Sequence, residues 1–168
     1  LYVKNNFKKK LSAITFGGGQ EQGLRPGTLP VPLIVGFGKA CKKSYKIMKK
    51  ESKKIEKLRN LLLDNIQNKI PNIIINGCMK KRIPGNLNIS FPDLRGQSVV
   101  TSIPQLALSS GSACSSSSPK ASHVLLGIGL SKDLCNSSIR IGIGRFNTKK
   151  EINYASEAII KTVKRKTN

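Results

Sequence analysis

The chain has 168 residues, 38% of them hydrophobic and 5% aromatic, and a formal net charge of +22 from 30 Lys and Arg against 8 Asp and Glu. That length buries one core and a short second segment but not two full domains, and no run approaches the roughly 18 uninterrupted apolar residues of a membrane span. The opening Leu1-Tyr2-Val3-Lys4 lacks the apolar run of a secretion signal, so a cytoplasmic protein is expected, and a first residue that is leucine reads as a piece of a longer chain or an unusual start.

The basic segment to about Phe16 alternates at Leu11, Ala13 and Thr15, which suits a short strand or an extended arm. From Gly17 to Pro30 there are five glycines and two prolines. That composition predicts a shaped loop with several unusual backbone angles, of the kind that approaches a ligand closely. A helix is predicted from about Pro32 to Asn68, on the order of 50 Å long if continuous. Along it Ile34, Phe37, Cys41, Tyr45, Met48, Ile55, Leu58, Leu62 and Ile66 recur mostly three or four apart, between the lysines of the run Lys39 to Lys57. The pattern is an apolar stripe with a solvated basic face.

So large a positive charge suits an acidic partner such as nucleic acid. The chain has no tryptophan, however, and neither zinc-finger spacing nor the aromatic-glycine signature of an RNA-recognition sheet. The lysines are therefore read as solvated, and no specific nucleic acid is expected.

Beyond Pro71 the period changes to two, in Ile73 to Ile75 and Leu87 to Phe91, and a compact α/β unit begins. Gln97 to Ile103 is expected to form one or two helical turns ending near Pro104, and Leu106-Ala107-Leu108 a buried strand. Ser109 to Ser118 is of low complexity and expected to be mobile. Ser122 can cap a short helix closed by Gly127 and Gly129. Ser138 to Ile143 alternates as a half-buried strand with Ile139, Ile141 and Ile143 on one face and Arg140 on the other. Thr148 and Glu151 have capping-box spacing ahead of a final helix with its stripe at Ile152, Ala155, Ile159 and Val163.

Cys41, Cys78, Cys114 and Cys135 stand far apart, with no C-x-x-C pair, so neither a metal site nor a disulfide is expected. Gly111 and the serines around Cys114 leave that thiol accessible, which reactivity requires.

Gly17-Gly18-Gly19-Gln20-Glu21 through Gly27-Thr28-Leu29-Pro30, Leu87-Asn88-Ile89-Ser90-Phe91, Ser109-Ser110-Gly111-Ser112-Ala113-Cys114-Ser115, and Ser137-Ser138-Ile139-Arg140 with Gly144-Arg145-Phe146 occur in this order. The set resembles the NifS/IscS-type cysteine desulfurases, and the resemblance covers nearly the whole chain. It implies an α/β fold: the C-terminal small domain of a fold-type-I pyridoxal-phosphate enzyme, with an N-terminal arm and a long connecting helix. The expected division is an arm and glycine loop at 1–30, the helix at 31–70 and the small domain at 71–168.

The resemblance further implies a homodimeric class V aminotransferase-type enzyme that takes sulfur from L-cysteine, releases L-alanine and passes the sulfur to an acceptor protein such as an iron-sulfur scaffold. Cys114 matches the persulfide-forming cysteine and Arg140 the arginine that grips the substrate carboxylate. Thr28 matches a threonine that reaches the phosphate of the partner subunit's pyridoxal phosphate. His123, Cys41, Cys78 and Cys135 match no role. Gln22 and Gln97 depart from an arginine and an acidic residue usual in the family. The family's cofactor lysine lies before the Leu-Tyr-Val that opens this chain, so the chain alone is expected to be inactive. An inactive remnant and a basic nucleic-acid-binding module are the competing readings.

Overall fold

Antiparallel pairing of two short alternating segments organises the second half of the chain. The computed structural model describes residues 2–4, 7, 11–94, 98–109 and 121–167. Its sheet has the order β1 (Ile74–Ile75), β2 (Asn86–Ser90) and β3 (Ser138–Gly142), with both pairings antiparallel. Leu87 stands opposite Ile141 and Ile89 opposite Ile139, so all four side chains share one face. Those residues join Leu58, Leu62 and Ile66 and also Ile152, Ile159 and Val163 in a single apolar cluster. Each such burial contributes on the order of 1.5–3 kcal/mol.

The other face of the sheet is polar. Asn88 stands opposite Arg140 and Ser90 opposite Ser138. Buried Asn76 donates from Nδ2 to Asn88 Oδ1 at 2.6 Å and to Ser90 Oγ at 2.8 Å, which satisfies its N–H groups, while its Oδ1 is buried without a hydrogen-bond partner among the described residues.

Among the described residues, four α-helices accompany the sheet: α1 (Val31–Gln67), α2 (His123–Gly127), α3 (Lys132–Asn136) and α4 (Lys149–Thr167). Pro32 falls in the first turn of α1, where its missing N–H is not needed. Ser122 caps α2 by accepting from the Leu125 N–H, and Gly129 follows with φ +95°. The capping box of α4 forms as expected: the Thr148 N–H donates to Glu151 Oε2 at 2.8 Å, and the Glu151 N–H donates to Thr148 Oγ1 at 3.3 Å. These Thr148 contacts hold the Glu151 carboxyl below the usual carboxylate range. Helix α3, capped by Ser131, was not foreseen; its single turn is too short to show a period.

The described residues divide into two units, Leu1–Ile47 and Met48–Asn168. No described residue of the first unit is buried. The expected stripe of α1 is accordingly covered only in part: Leu58, Leu62 and Ile66 are buried, whereas Ile34, Phe37, Tyr45 and Met48 are exposed. Amphipathic spacing supplies a face, and burial requires a core for that face to enter.

One further expectation is corrected, that of a strand at Leu106 to Leu108, and two are met in part. Leu11 to Thr15 forms no strand among the described residues, which leaves the extended arm of the two forms expected. Leu106 to Leu108 is neither a strand nor fully buried; among the described residues the next one, Ser109, forms an isolated bridge. Of the turns expected from Gln97 to Ile103, a 3-10 turn appears at Val100–Ser102, and Gln97 lies outside the described residues.

Among the described glycines, Gly85 has the closest neighbours to an added Cβ. Its carbonyl accepts from the Ile143 N–H at 2.8 Å, and an added Cβ would collide with the Ile143 carbonyl and come within 2.9 Å of Ile55 Cγ2. Gly85→Ala should cost about 1–3 kcal/mol in urea unfolding. Gly142→Ala, with nothing within 4 Å of the added carbon, should stay within about 0.5 kcal/mol of the parent.

Candidate functional site

Strand alternation sets Arg140 on the face away from the core, where it is exposed between buried Ile139 and Ile141. Its main chain is held from both directions by Ser109: the Arg140 N–H donates to the Ser109 carbonyl at 2.7 Å, and the Ser109 N–H donates to the Arg140 carbonyl at 3.3 Å. The guanidinium is held too, with Nη2 donating to Ser109 Oγ at 3.2 Å. One serine thus fixes both the backbone and the side chain of Arg140. The remaining donors of the fork stay exposed, where a carboxylate can take them bidentately. Cys114 lies outside the described residues, in the segment 110–120 that begins immediately after Ser109.

Thr28 belongs to the first unit and is exposed. The loop before it closes on itself: the Gly27 N–H donates to Gln20 Oε1 at 3.0 Å. Arg25 Nη1 donates to the carbonyls of Gly27 and Thr28 at 3.3 and 3.4 Å. Gly23 and Gly27 take positive φ of 77° and 95°, and so, unexpectedly for non-glycine residues, do Glu21 (52°) and Gln22 (59°). Arg25 thereby braces the main chain on which Thr28 sits.

Of the other residues weighed, His123 is the exposed first residue of α2, as its place after a capping serine suggested. Cys41 and Cys78 are exposed and Cys135 is buried; burial pushes the Cys135 thiol up, toward its unreactive neutral form. Near Cys78, Arg82 donates to the carbonyls of Asn76 at 2.7 Å and Cys78 at 2.9 Å. Burial, and then the charge of Arg59, lower Arg82 from the usual arginine value. A cleft of about 320 Å³ lined by Asn65, Asn68, Asn153 and Ser156, among others, holds none of the candidate residues. Among the described residues no helix is long and apolar enough to cross a membrane.

Sequence reasoning singled out Arg140 but not the serine that holds it. The partnership joins positions 31 residues apart, and no local period signals it.

The family model for aminotransferase class-V matches residues 1–154, and the chain belongs to that family. The relatives it matches include the cysteine desulfurase IscS of Ehrlichia chaffeensis, 45% identical over 98% of this chain and 40% of that protein. The cysteine desulfurase of Homo sapiens is 44% identical over 98% of this chain and 36% of that protein. Among solved structures, a NifS-like protein covers 91% of this chain at TM-score 0.70 and 28% identity, with 39% of its own length matched. A NifS-like protein from Rickettsia africae gives 0.68 over 90% of this chain, again at 28% identity, with 39% of its length matched. The chain therefore spans about two fifths of the length of such relatives, and its α/β architecture is that of the corresponding part of a NifS-like enzyme.

Thiol labelling tests the burial contrast. In the folded protein a disulfide reagent should modify Cys41 and Cys78 within minutes, while Cys135 should react only after denaturant is added. Peptide mapping of Cys135 before and after urea reads the difference directly.

Proposed function

We propose that the chain is the part of a cysteine desulfurase that carries the sulfur acceptor, Cys114, and the substrate-carboxylate clamp, Arg140. The observation that carries the reading is the double bridge between Arg140 and Ser109. It ties the clamp to the root of the segment holding Cys114. Five residues extend at most about 18 Å, so a small amino acid held by its carboxylate on Arg140 lies within range of that thiol. The identity with curated cysteine desulfurases over nearly the whole chain supports the same chemistry.

In this reading Arg140 orients L-cysteine through two parallel charge-assisted hydrogen bonds. The Cys114 thiolate forms a bond to the substrate sulfur as the substrate carbon–sulfur bond breaks; the carbon skeleton keeps the electron pair, takes up a proton and leaves as L-alanine. The persulfide on Cys114 then passes its outer sulfur to an acceptor protein, such as an iron-sulfur scaffold, in the cytoplasm.

Pyridoxal phosphate, when bound, supplies the electron sink that makes the carbon–sulfur bond labile. The described residues do not fit a complete site for it: no described lysine is buried. In the proposed enzyme the cofactor lysine comes from sequence outside this chain, and Thr28, braced by Arg25, offers its hydroxyl to the cofactor phosphate of a partner subunit in a homodimer.

Two measurements test the proposal. Mixed with pyridoxal phosphate and desalted, the chain alone should retain no stoichiometric cofactor absorbance. In the enzyme completed with its lysine-bearing part, Cys114→Ser should reduce alanine release to background with cofactor content unchanged. Arg140→Ala should raise KM for L-cysteine about 10- to 100-fold. Full alanine release from Cys114→Ser would remove the assignment.

A further inference from the structure

Across the sheet, four polar residues stand abreast on the face away from the core. Asn88 is opposite Arg140, and Ser109 bridges to Arg140 from the other side. The Asn76 N–H donates to the Asn88 carbonyl at 2.9 Å, which sets Asn76 beside Asn88. The order along the row is therefore Asn76, Asn88, Arg140, Ser109, and all four lie in the second unit. Both neighbours of Asn88 in β2, Leu87 and Ile89, enter the apolar cluster, so alternation turns half-buried Asn88 to the side that Arg140 occupies. Directly opposite side chains on one face start about 4.5–5.5 Å apart at Cβ.

The two ends of the row are hydrogen-bonded through their side chains, and its middle is not. At one end, Ser109 Oγ accepts from Arg140 Nη2 at 3.2 Å. At the other, buried Asn76 gives both amide N–H groups away, to Asn88 Oδ1 at 2.6 Å and to Ser90 Oγ at 2.8 Å. That contact fixes the Asn88 amide. Its oxygen is held on the β1 side, and its nitrogen, on the opposite arm of the same planar group, takes the side toward β3 and Arg140. Among the described residues, no acceptor takes the N–H groups of Asn88 Nδ2, and no side-chain hydrogen bond joins Asn88 to Arg140. An amide nitrogen and a guanidinium are donors only, so neither satisfies the other.

We propose that Asn88 is a second substrate-binding residue, whose Nδ2 and the Arg140 guanidinium together take the carboxylate of L-cysteine. The inference rests on the reading of Arg140 as the carboxylate clamp and adds a partner to it. Two donor groups one strand spacing apart, about 4.8 Å, call for an acceptor that spans them. A carboxylate has two acceptor oxygens and no donor, so it can take an N–H from each side at about 2.9 Å. A carboxamide suits the second position because it adds a donor without adding a charge that repels the guanidinium. An asparagine free to turn over would also present Oδ1, which repels a carboxylate. Asn76 removes that alternative, since the group it sets against Asn88 is itself a donor.

The test uses the enzyme completed with its lysine-bearing part and loaded with cofactor, and compares L-cysteine with L-cysteinamide, in which a neutral amide replaces the carboxylate. Sulfide release in excess thiol reductant reads both substrates. The ratio of kcat/KM, acid over amide, should fall about 10-fold in Asn88→Ala, the loss of one hydrogen bond to a charged group. The fall should lie in KM for L-cysteine, with kcat little changed. Asn88→Val, which favours a strand and carries no donor, should fold where the alanine variant does not and should lower the ratio to the same extent. Equal losses for acid and amide would mark Asn88 as structural and overturn the inference. So would an unchanged ratio in both Asn88 variants beside a lowered one in Arg140→Ala, a result that leaves the clamp standing. An unchanged ratio in Arg140→Ala would overturn the clamp and this inference with it.

Discussion

The pairing of β2 with β3 is the constraint on which the second unit depends. Setting Ile89 against Ile139 and Leu87 against Ile141 puts four aliphatic side chains into the core and, by the same alternation, keeps Arg140 out of it. A slip of one residue would bury a guanidinium and expose the isoleucines. The hydrophobic term thus fixes the position of the charge. Gly85, pressed against the Ile143 carbonyl just outside the strand ends, leaves little room for another arrangement.

Ser109 converts that placement into a candidate site. An arginine on a strand face keeps several rotamers, and its hydrogen bond to Ser109 Oγ narrows them. The paired backbone bonds at the same time give the segment 110–120 a fixed point of departure. The arginine proposed as the carboxylate clamp and the origin of the segment that holds Cys114 therefore share one anchor, which is the kind of preorganisation that the proposed sulfur transfer requires. The loop of the first unit is fixed on different terms: Gln20 and Arg25 close it through main-chain acceptors and donors, leaving the side chain of Thr28 exposed.

Much of this was legible in the sequence where a short period coincided with a core. Ser138 to Ile143 declared its inward and outward residues, Thr148 and Glu151 declared the start of α4, and Ser122 that of α2. Legibility ended where structure depends on distant partners. Leu106 to Leu108 has the composition of a strand but finds no ladder, because among the described residues Ser109 alone bridges to Arg140 outside the β2 pairing. The stripe of α1 is uniform in sequence, yet only its later part meets the cluster of the second unit. The serine that holds Arg140 looked no different from its neighbours. Cys114, Arg140 and Thr28 were singled out by family resemblance; local pattern showed only that Cys114 sits among small polar residues and that Arg140 faces away from the core.

The central claim is that sulfur leaves L-cysteine onto Cys114 in a site whose carboxylate clamp is Arg140. Its most direct test is peptide mass mapping of the completed enzyme, quenched with a thiol-blocking reagent after a single turnover with L-cysteine. The account predicts the added mass of one sulfur atom on the peptide containing Cys114, lost on reduction and absent when Arg140→Ala enzyme is treated at the same low substrate concentration. Added sulfur on the peptides of Cys41, Cys78 or Cys135, with none on that of Cys114, would contradict it.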